Sequence, residues 1–135
     1  MRFVDTNVLL YAISSAHADR AKAACAAALL DETDLALSVQ VLQEFYVQAT
    51  RAGASAPLSH ESAIAFISTL MRFPVQETTL GLLRAAFATR ARWHISYWDA
   101  AIVEAARMSG CDTICTEDLQ HGQDFGGVRI VNPFV

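Results

Sequence analysis

Four carboxylates are the residues of this chain best suited to chemistry, although they lie far apart in the sequence. They are Asp5, Glu44, Asp99 and Asp118. Brought together, four such charges would raise one another's pKa values, and a divalent cation would relieve the repulsion. Oxygen ligands in an incomplete protein cage suit Mg²⁺ or Mn²⁺. Such a site favours metal-assisted attack of water on a phosphodiester, because metal ions stabilise the attacking and leaving oxygens.

Each of these acids also has an ordinary structural explanation when it is taken alone. Asp5 can cap the first helix, and Asp118 can serve a turn. Asp99 falls three residues after Ser96, a spacing that resembles a capping box. Glu44 lies away from the apolar stripe of its helix, where a solvated glutamate is common. Spacing by itself therefore suggests a shared site without establishing one.

Short apolar segments alternate with helical patterns along the whole chain. The predicted strands cover 2–5, 35–38, 75–77, 112–116 and 128–131. Four of the helices between them are predicted to begin near capping residues, which are Thr6, Ser59, Thr78 or Thr79, and Ser96. Two further helices are predicted over 17–30 and 39–52. This alternation predicts an α/β fold with a parallel sheet and helices on both of its faces.

The four acids occupy functional positions in such a fold, where ligands bind outside the carboxyl ends of the strands. Asp5 ends the first predicted strand, and Asp118 follows the fourth. Asp99 opens the helix that leads into the fourth strand, and Glu44 lies on the helix after the second. We therefore expect the four carboxylates to converge at one edge of the sheet.

Composition limits the class of protein. The 135 residues are 53% hydrophobic and 18% charged, which predicts one compact domain over 1–135. The apolar run 23–30 is far too short for a membrane span, and the first residues carry no secretion signal. Three cysteines are an odd, low count that argues against a disulfide scaffold and favours the reducing cytoplasm.

The net charge of −4 argues against a protein that holds nucleic acid by bulk electrostatics. It does not exclude a nuclease, because bound cations neutralise metal-binding carboxylates. The high apolar content for this length also predicts a self-association surface. One apolar face of the helix that begins after Thr78 or Thr79 is predicted to carry Leu80, Leu83, Phe87 and Ala91.

The segments around the four acids resemble the motifs of PIN-domain proteins. The matching segments are DTNVLLY at 5–11, LSVQVLQEF at 37–45, SYWDAAI at 96–102, TEDL at 116–119 and the tail IVNPF at 130–134. Each motif is short, but their order and spacing together are specific and cover essentially the whole chain. Among PIN domains, a chain of this size is most similar to the VapC-type toxins of bacterial toxin–antitoxin pairs.

The resemblance implies a three-layer α/β/α domain with a five-stranded parallel sheet of order 3-2-1-4-5. It implies a Mg²⁺- or Mn²⁺-dependent endoribonuclease, in which water attacks phosphorus in line and leaves a 5′-phosphate. It also implies a homodimer that a cognate antitoxin protein silences. Two alternatives remain: a PIN nuclease outside any toxin–antitoxin system, and a non-catalytic RNA- or protein-binding module.

Carried over to this chain, the resemblance assigns Asp5, Asp99 and Asp118 to the metal, directly or through water. Glu44 completes the acidic site. The groups implied to orient the carboxylates or contact phosphate are Thr6, Asn7, Ser38 and Thr116. Glu117 adjoins Asp118 and can share its role, but Asp118 fits the threonine-any-aspartate pattern and is preferred.

Aromatic residues flank the third of these motifs. Trp93, Tyr97 and Trp98 can stack on unpaired bases, although core or dimer packing is the more ordinary role for such side chains.

Overall fold

The computed structural model describes residues 1–54 and 56–135. Its five strands are β1 (Arg2–Val4), β2 (Leu35–Ser38), β3 (Val75–Gln76), β4 (Thr113–Cys115) and β5 (Arg129–Val131). Its helices are α1 (Thr6–Ala12), α2 (Arg20–Leu30), α3 (Val39–Thr50), α4 (His60–Leu70), α5 (Leu80–Trp93) and α6 (Tyr97–Met108), with a 3₁₀ turn at His17–Asp19 before α2.

Caps set where several helices begin, as the sequence predicted. The Ser59 hydroxyl accepts from the backbone of Ser62 and starts α4, and Thr79, rather than Thr78, starts α5. The helix predicted over 17–30 begins instead as the 3₁₀ turn, and α3 ends at Thr50 rather than at residue 52. These differences are confined to helix ends, where the first and last turns are held least firmly.

The strands form one parallel sheet in the order β3-β2-β1-β4-β5, which confirms the predicted topology. β1 is central. Phe3 pairs with Ala36 of β2 on one side and with Ile114 of β4 on the other. Neighbouring parallel strands end at the same edge, so the residues that follow β1 and β4 are brought side by side.

The helices divide into two layers because the chain changes direction once across the sheet. From β1 the chain moves through α1 and α2 to β2, and through α3 and α4 to β3. It then returns through α5 and α6 to β4, on the far side of β1. Right-handed crossovers therefore place α5 and α6 on the opposite face from α1–α4. Helix contacts follow this division, since α1 packs on α2 and α3 while α5 packs on α6.

The core is built on both faces of this sheet. Phe3, Ile114 and Ile130 are fully buried in the strands, and Phe45 of α3 is fully buried on the helical side. None of the helices in the described part of the chain has the length and apolar character that a bilayer crossing requires.

Helix α5 is oriented differently from what its large apolar residues suggest. Leu82 and Ala86 are buried, whereas Leu80 and Phe87 are 68% and 55% exposed. The buried side lies against α6, whose Ala100 is fully buried. Small side chains allow two helices to approach closely. The face of α5 that carries Leu82 and Ala86 is therefore the one that packs, and Leu80 and Phe87 are left largely uncovered.

A buried charge network fixes the loop between β4 and β5. The Glu104 carboxylate is almost fully buried and accepts from the Thr89 hydroxyl at 2.8 Å and from Arg107 Nε at 3.1 Å. The same guanidinium donates to the carbonyl oxygens of Gly126 and Phe125 at 2.8 and 2.5 Å. The loop that begins just after β4 is thereby attached to α6.

Candidate active site

Two of the four predicted acids lie at adjacent strand ends. Asp5 follows β1 directly, and Asp118 lies three residues beyond the end of β4. The backbone N–H of Asp5 donates to the Cys115 carbonyl at 3.1 Å, which extends the β1–β4 pairing to the point where the chain turns into the site. The sheet order is therefore what brings residues 5 and 118 to one place.

Asp5 acts as a helix cap and faces the site at the same time. Its Oδ1 accepts from the Thr6 backbone N–H at 2.7 Å, and its Oδ2 accepts from the Thr116 hydroxyl at 2.9 Å. The residue is only 7% exposed. Asp5 can therefore be both a helix cap and a member of the acidic site, because the capping hydrogen bond holds its carboxylate in place.

Asn7 and Thr116 link the carboxylates of Asp5 and Asp118. The Asn7 amide donates to Thr116 Oγ1 at 2.8 Å and to Asp118 Oδ2 at 3.1 Å. Thr116 Oγ1 also accepts from the Asp118 backbone N–H at 3.1 Å. Both residues therefore orient carboxylates through hydrogen bonds.

Glu44 lies on α3, and two side chains donate hydrogen bonds to its carboxylate. Its Oε2 accepts from the Thr6 hydroxyl at 3.0 Å, and its Oε1 accepts from Gln40 Nε2 at 2.8 Å. Ser38, another predicted site residue, caps α3 by accepting from the Val41 N–H at 3.2 Å. Ser38 thus positions the helix that carries Glu44.

Asp99 lies in the first turn of α6, and Ser96 caps that helix by accepting from the Asp99 N–H at 3.0 Å. Burial raises the pKa of the Asp99 carboxyl, and the negative charges of Asp118 and Glu44 raise it further. The Ser96 hydroxyl opposes this shift. Asp99 is therefore in the electrostatic field of two acids from other elements.

The same two acids also act on Asp5. The pKa of its carboxyl is raised from 3.8 to about 6, chiefly by burial and further by the charges of Asp118 and Glu44. The hydrogen bonds from Thr6 and Thr116 act in the opposite direction. The structure thus brings the four carboxylates into one electrostatic cluster.

Glu117 is engaged elsewhere, although it adjoins Asp118. Its carboxylate accepts from Lys22 Nζ at 2.8 Å and from the Tyr11 hydroxyl at 2.6 Å. Partial burial acts to raise the pKa of Glu117, but the Lys22 and Tyr11 hydrogen bonds outweigh it and hold the pKa below its ordinary value. Its charge is thereby matched by the ammonium group of the only lysine in the chain.

Gln40, Tyr11 and Lys22 were not among the predicted site residues. Gln40 stands one helical turn before Glu44, and Tyr11 closes the first motif, so both carried a weak local signal. Lys22 carried none, because its contact with Glu117 spans 95 positions.

An open cavity of about 340 Å³ lies over this cluster. Its walls are formed by Thr6, Asn7, Leu10, Tyr11, Glu44, Gln48, Glu117 and Asp118. Of the four acids, Glu44 and Asp118 line this cavity, whereas Asp5 and Asp99 do not. The cavity therefore gives solvent and a ligand access to the exposed members of the acidic cluster.

The donor chemistry of the cluster fits a hard divalent cation. Within residues 1–54 and 56–135, no three His, Cys, Asp or Glu side chains form a ready-made metal cage. Mg²⁺ does not require one, because it keeps several waters and is held by one or two carboxylates. A buried carboxyl with a raised pKa beside other acids is also a group whose charged form a cation stabilises.

Comparisons with known proteins agree with this architecture. The family model of the PIN domain matches residues 2–123. No curated protein matches the chain in sequence.

Solved structures with the same fold come from several bacteria. Mycobacterium tuberculosis VapC20, described as a sarcin-ricin loop cleaving toxin, is 20% identical, with a TM-score of 0.68 over 87% of this chain and 92% of that one. A Klebsiella pneumoniae toxin–antitoxin complex is 19% identical, with a TM-score of 0.71 over 98% of both chains. DNA-bound VapBC from Salmonella typhimurium is 20% identical, with a TM-score of 0.64 over 96% of this chain and 95% of that one.

At 19–20% identity, the solved structures show that the folds are alike. The PIN family model, in contrast, matches the amino-acid sequence directly. With the family model covering most of its length, the chain belongs to the PIN domain family.

Proposed function

We propose that this protein is a metal-dependent endoribonuclease and the toxin of a bacterial toxin–antitoxin pair. The observation that carries the proposal is the convergence of Asp5, Glu44, Asp99 and Asp118 on one cluster beside an open cavity. Membership of the PIN family supports nuclease chemistry, and a structural neighbour described as a sarcin-ricin loop cleaving toxin supports RNA as the substrate.

In this proposal Asp5, Asp99 and Asp118 hold Mg²⁺ or Mn²⁺, directly or through water, and Glu44 completes the acidic site. When bound, the metal supplies an activated water and neutralises charge on the phosphodiester. Thr116 and Asn7 hold Asp5 and Asp118 in fixed orientations, so little rearrangement accompanies binding.

The partners follow from the same proposal. A cognate antitoxin protein silences the enzyme, as the toxin–antitoxin complexes among the structural neighbours support. We propose one domain over 1–135 acting in the cytoplasm, where Cys25, Cys111 and Cys115 stay as the free thiols that the structure shows.

We also propose a homodimer formed through the uncovered face of α5. Leu80 and Phe87 are two turns apart on that helix and more than half exposed, and large apolar side chains exposed on one face are typical of an interaction surface. Light scattering at micromolar concentration should give the mass of two chains, and Phe87→Glu should shift it to one. A single-chain mass for the unmodified protein would rule out this dimer.

Cleavage of total RNA tests the enzymatic proposal. Antitoxin-free protein is incubated with RNA in Mg²⁺, in Mn²⁺ and in EDTA, and the cut ends are mapped. We expect discrete cuts with 5′-phosphates only when metal is present. Asp112→Asn is a matched control, since Asp112 is an exposed acid that precedes β4 at the opposite edge of the sheet.

Absence of cleavage in every metal would overturn the ribonuclease proposal. Retained RNA binding would then favour a non-catalytic binding module. Cleavage of DNA instead of RNA would indicate a PIN nuclease outside toxin–antitoxin systems.

A further inference from the structure

A groove with an exposed tryptophan adjoins the acidic cavity. It encloses about 410 Å³ between α3 and the start of α6, and its lining residues are Gln40, Gln43, Glu44, Val47, Gln48 and Trp98. We call it the Trp98 groove. Trp98 is 65% exposed, although it is one of the largest apolar side chains in the protein.

The tryptophan is supported on its inner side. Its ring meets Tyr97 edge to face, with the ring centroids 5.1 Å apart, and Tyr97 in turn lies 5.6 Å from Phe87. Gln40 Nε2 donates to the Trp98 carbonyl oxygen at 3.3 Å as well as to Glu44. One amide therefore connects the tryptophan backbone to an acid of the proposed catalytic site.

The groove is continuous with the acidic cavity. Glu44 and Gln48 line both depressions. A polymer whose phosphate lies at the acids therefore places its adjacent unit in the Trp98 groove.

The chemistry of the walls matches an unpaired nucleobase. An exposed indole is a stacking surface for the face of a base, and the exposed surface of the groove walls is mainly apolar, as a base face is. Stacking of this kind tolerates any base.

We propose that the Trp98 groove binds an unpaired base of the RNA, next to the nucleotide whose phosphodiester is cut. This inference rests on the proposed ribonuclease function and adds to it a residue, Trp98, that determines affinity for the base beside the cut.

Binding of short RNA measures the proposal without requiring cleavage. The probes are fluorescein-labelled A8 and U8 RNA, followed by anisotropy in EDTA, with an RNA duplex as the double-stranded comparison. Trp98→Ala should weaken octamer binding about tenfold or more, whereas Trp98→Tyr, which keeps a stacking face, should change it much less. Met71→Ala, which removes another exposed apolar side chain outside the groove, should leave binding unchanged.

Fluorescence reports the contact itself. In a Trp93→Phe protein, Trp98 is the sole tryptophan, and Phe can keep the packing of Trp93 on Phe125. Octamer RNA should quench this emission, and the duplex should quench it far less. Steady-state cleavage should show a raised KM for Trp98→Ala with kcat nearly unchanged.

The outcomes separate this inference from the function on which it rests. Normal cleavage with unchanged octamer affinity and KM in Trp98→Ala would overturn the base-binding role alone. A change of the native mass in Trp98→Ala, without loss of RNA affinity, would assign the groove to a second copy and also overturn it. Failure of the unmodified protein to bind or cleave any RNA would overturn both proposals.

Discussion

Asp5→Asn is expected to abolish RNA cleavage while making the metal-free protein more stable at neutral pH. Asp5 is the most buried of the four acids and is proposed to hold the metal. Loss of its charge should lower kcat by at least about 100-fold, the scale seen when one preorganised electrostatic group is removed from a catalytic site.

The gain in stability follows from the pKa of Asp5. The carboxyl titrates near 3.8 when unfolded and at about 6 when folded, so the folded protein binds its proton more tightly. The contribution of Asp5 to wild-type stability is therefore most favourable below the unfolded pKa of 3.8 and is lost as the pH rises through about 6. Above that pH, the shift of about two pKa units lowers the free energy of unfolding by about 3 kcal/mol.

Asparagine does not recover all of this free energy. Asp5 accepts from both the Thr6 N–H and the Thr116 hydroxyl, and an amide must present a donor to one of them. The mismatch costs about 1–2 kcal/mol, which leaves a net gain of about 1–2 kcal/mol, or about 3–6 °C in Tm.

Thermal unfolding in EDTA between pH 4 and 8 checks this result. The Tm difference between Asp5→Asn and wild type should increase across this range and level off above about pH 7. Asp112→Asn should show no such trend. A variant that melts below wild type at pH 8 would contradict the assigned burial cost, and full cleavage activity would contradict the catalytic role of Asp5.

Asp118→Asn and Glu117→Gln are expected to behave very differently, although the two acids are adjacent. Asp118 is held by Asn7 in the acidic cluster, whereas Glu117 is bound by Lys22 and Tyr11. Asp118→Asn should therefore lower kcat by about 100-fold or more. Glu117→Gln keeps a side chain that can accept from Lys22 or Tyr11, and should retain activity within about fivefold, since the pair is partly exposed and weak.

The measurement is kcat on one RNA substrate at saturating Mg²⁺, with a Mg²⁺ titration of each variant. Glu117→Gln should leave the Mg²⁺ midpoint near the wild-type value. Equal losses in the two variants would show that both acids act on the metal, and a larger loss in Glu117→Gln would reverse the assignment.

The positions of the four acids and the sheet that carries them were predictable from the sequence. Apolar segments and helix caps are local signals, because strand burial and capping depend on residues only a few positions apart. The edge occupied by Asp5 and Asp118 follows once strands are known to be parallel, since parallel strands end on the same side. The order in which they pair came from the resemblance to PIN domains.

Interactions between distant residues determined what the sequence left open. Whether Glu117 or Asp118 faces the cluster depends on Lys22, which is 95 positions from Glu117. The exposed face of α5 depends on how closely α6 packs against it, and the Trp98 groove exists only because α3 and α6 begin side by side.

The sequence by itself thus determined most of the elements, several of their caps and the set of candidate acids, because short-range geometry fixes these. Only the tertiary structure decided that Lys22 pairs with Glu117 rather than Asp118, how far the pKa of Asp5 is raised, and which residues surround Trp98. The physical reason is that charge pairing and burial depend on distances in space, which spacing along a chain does not specify.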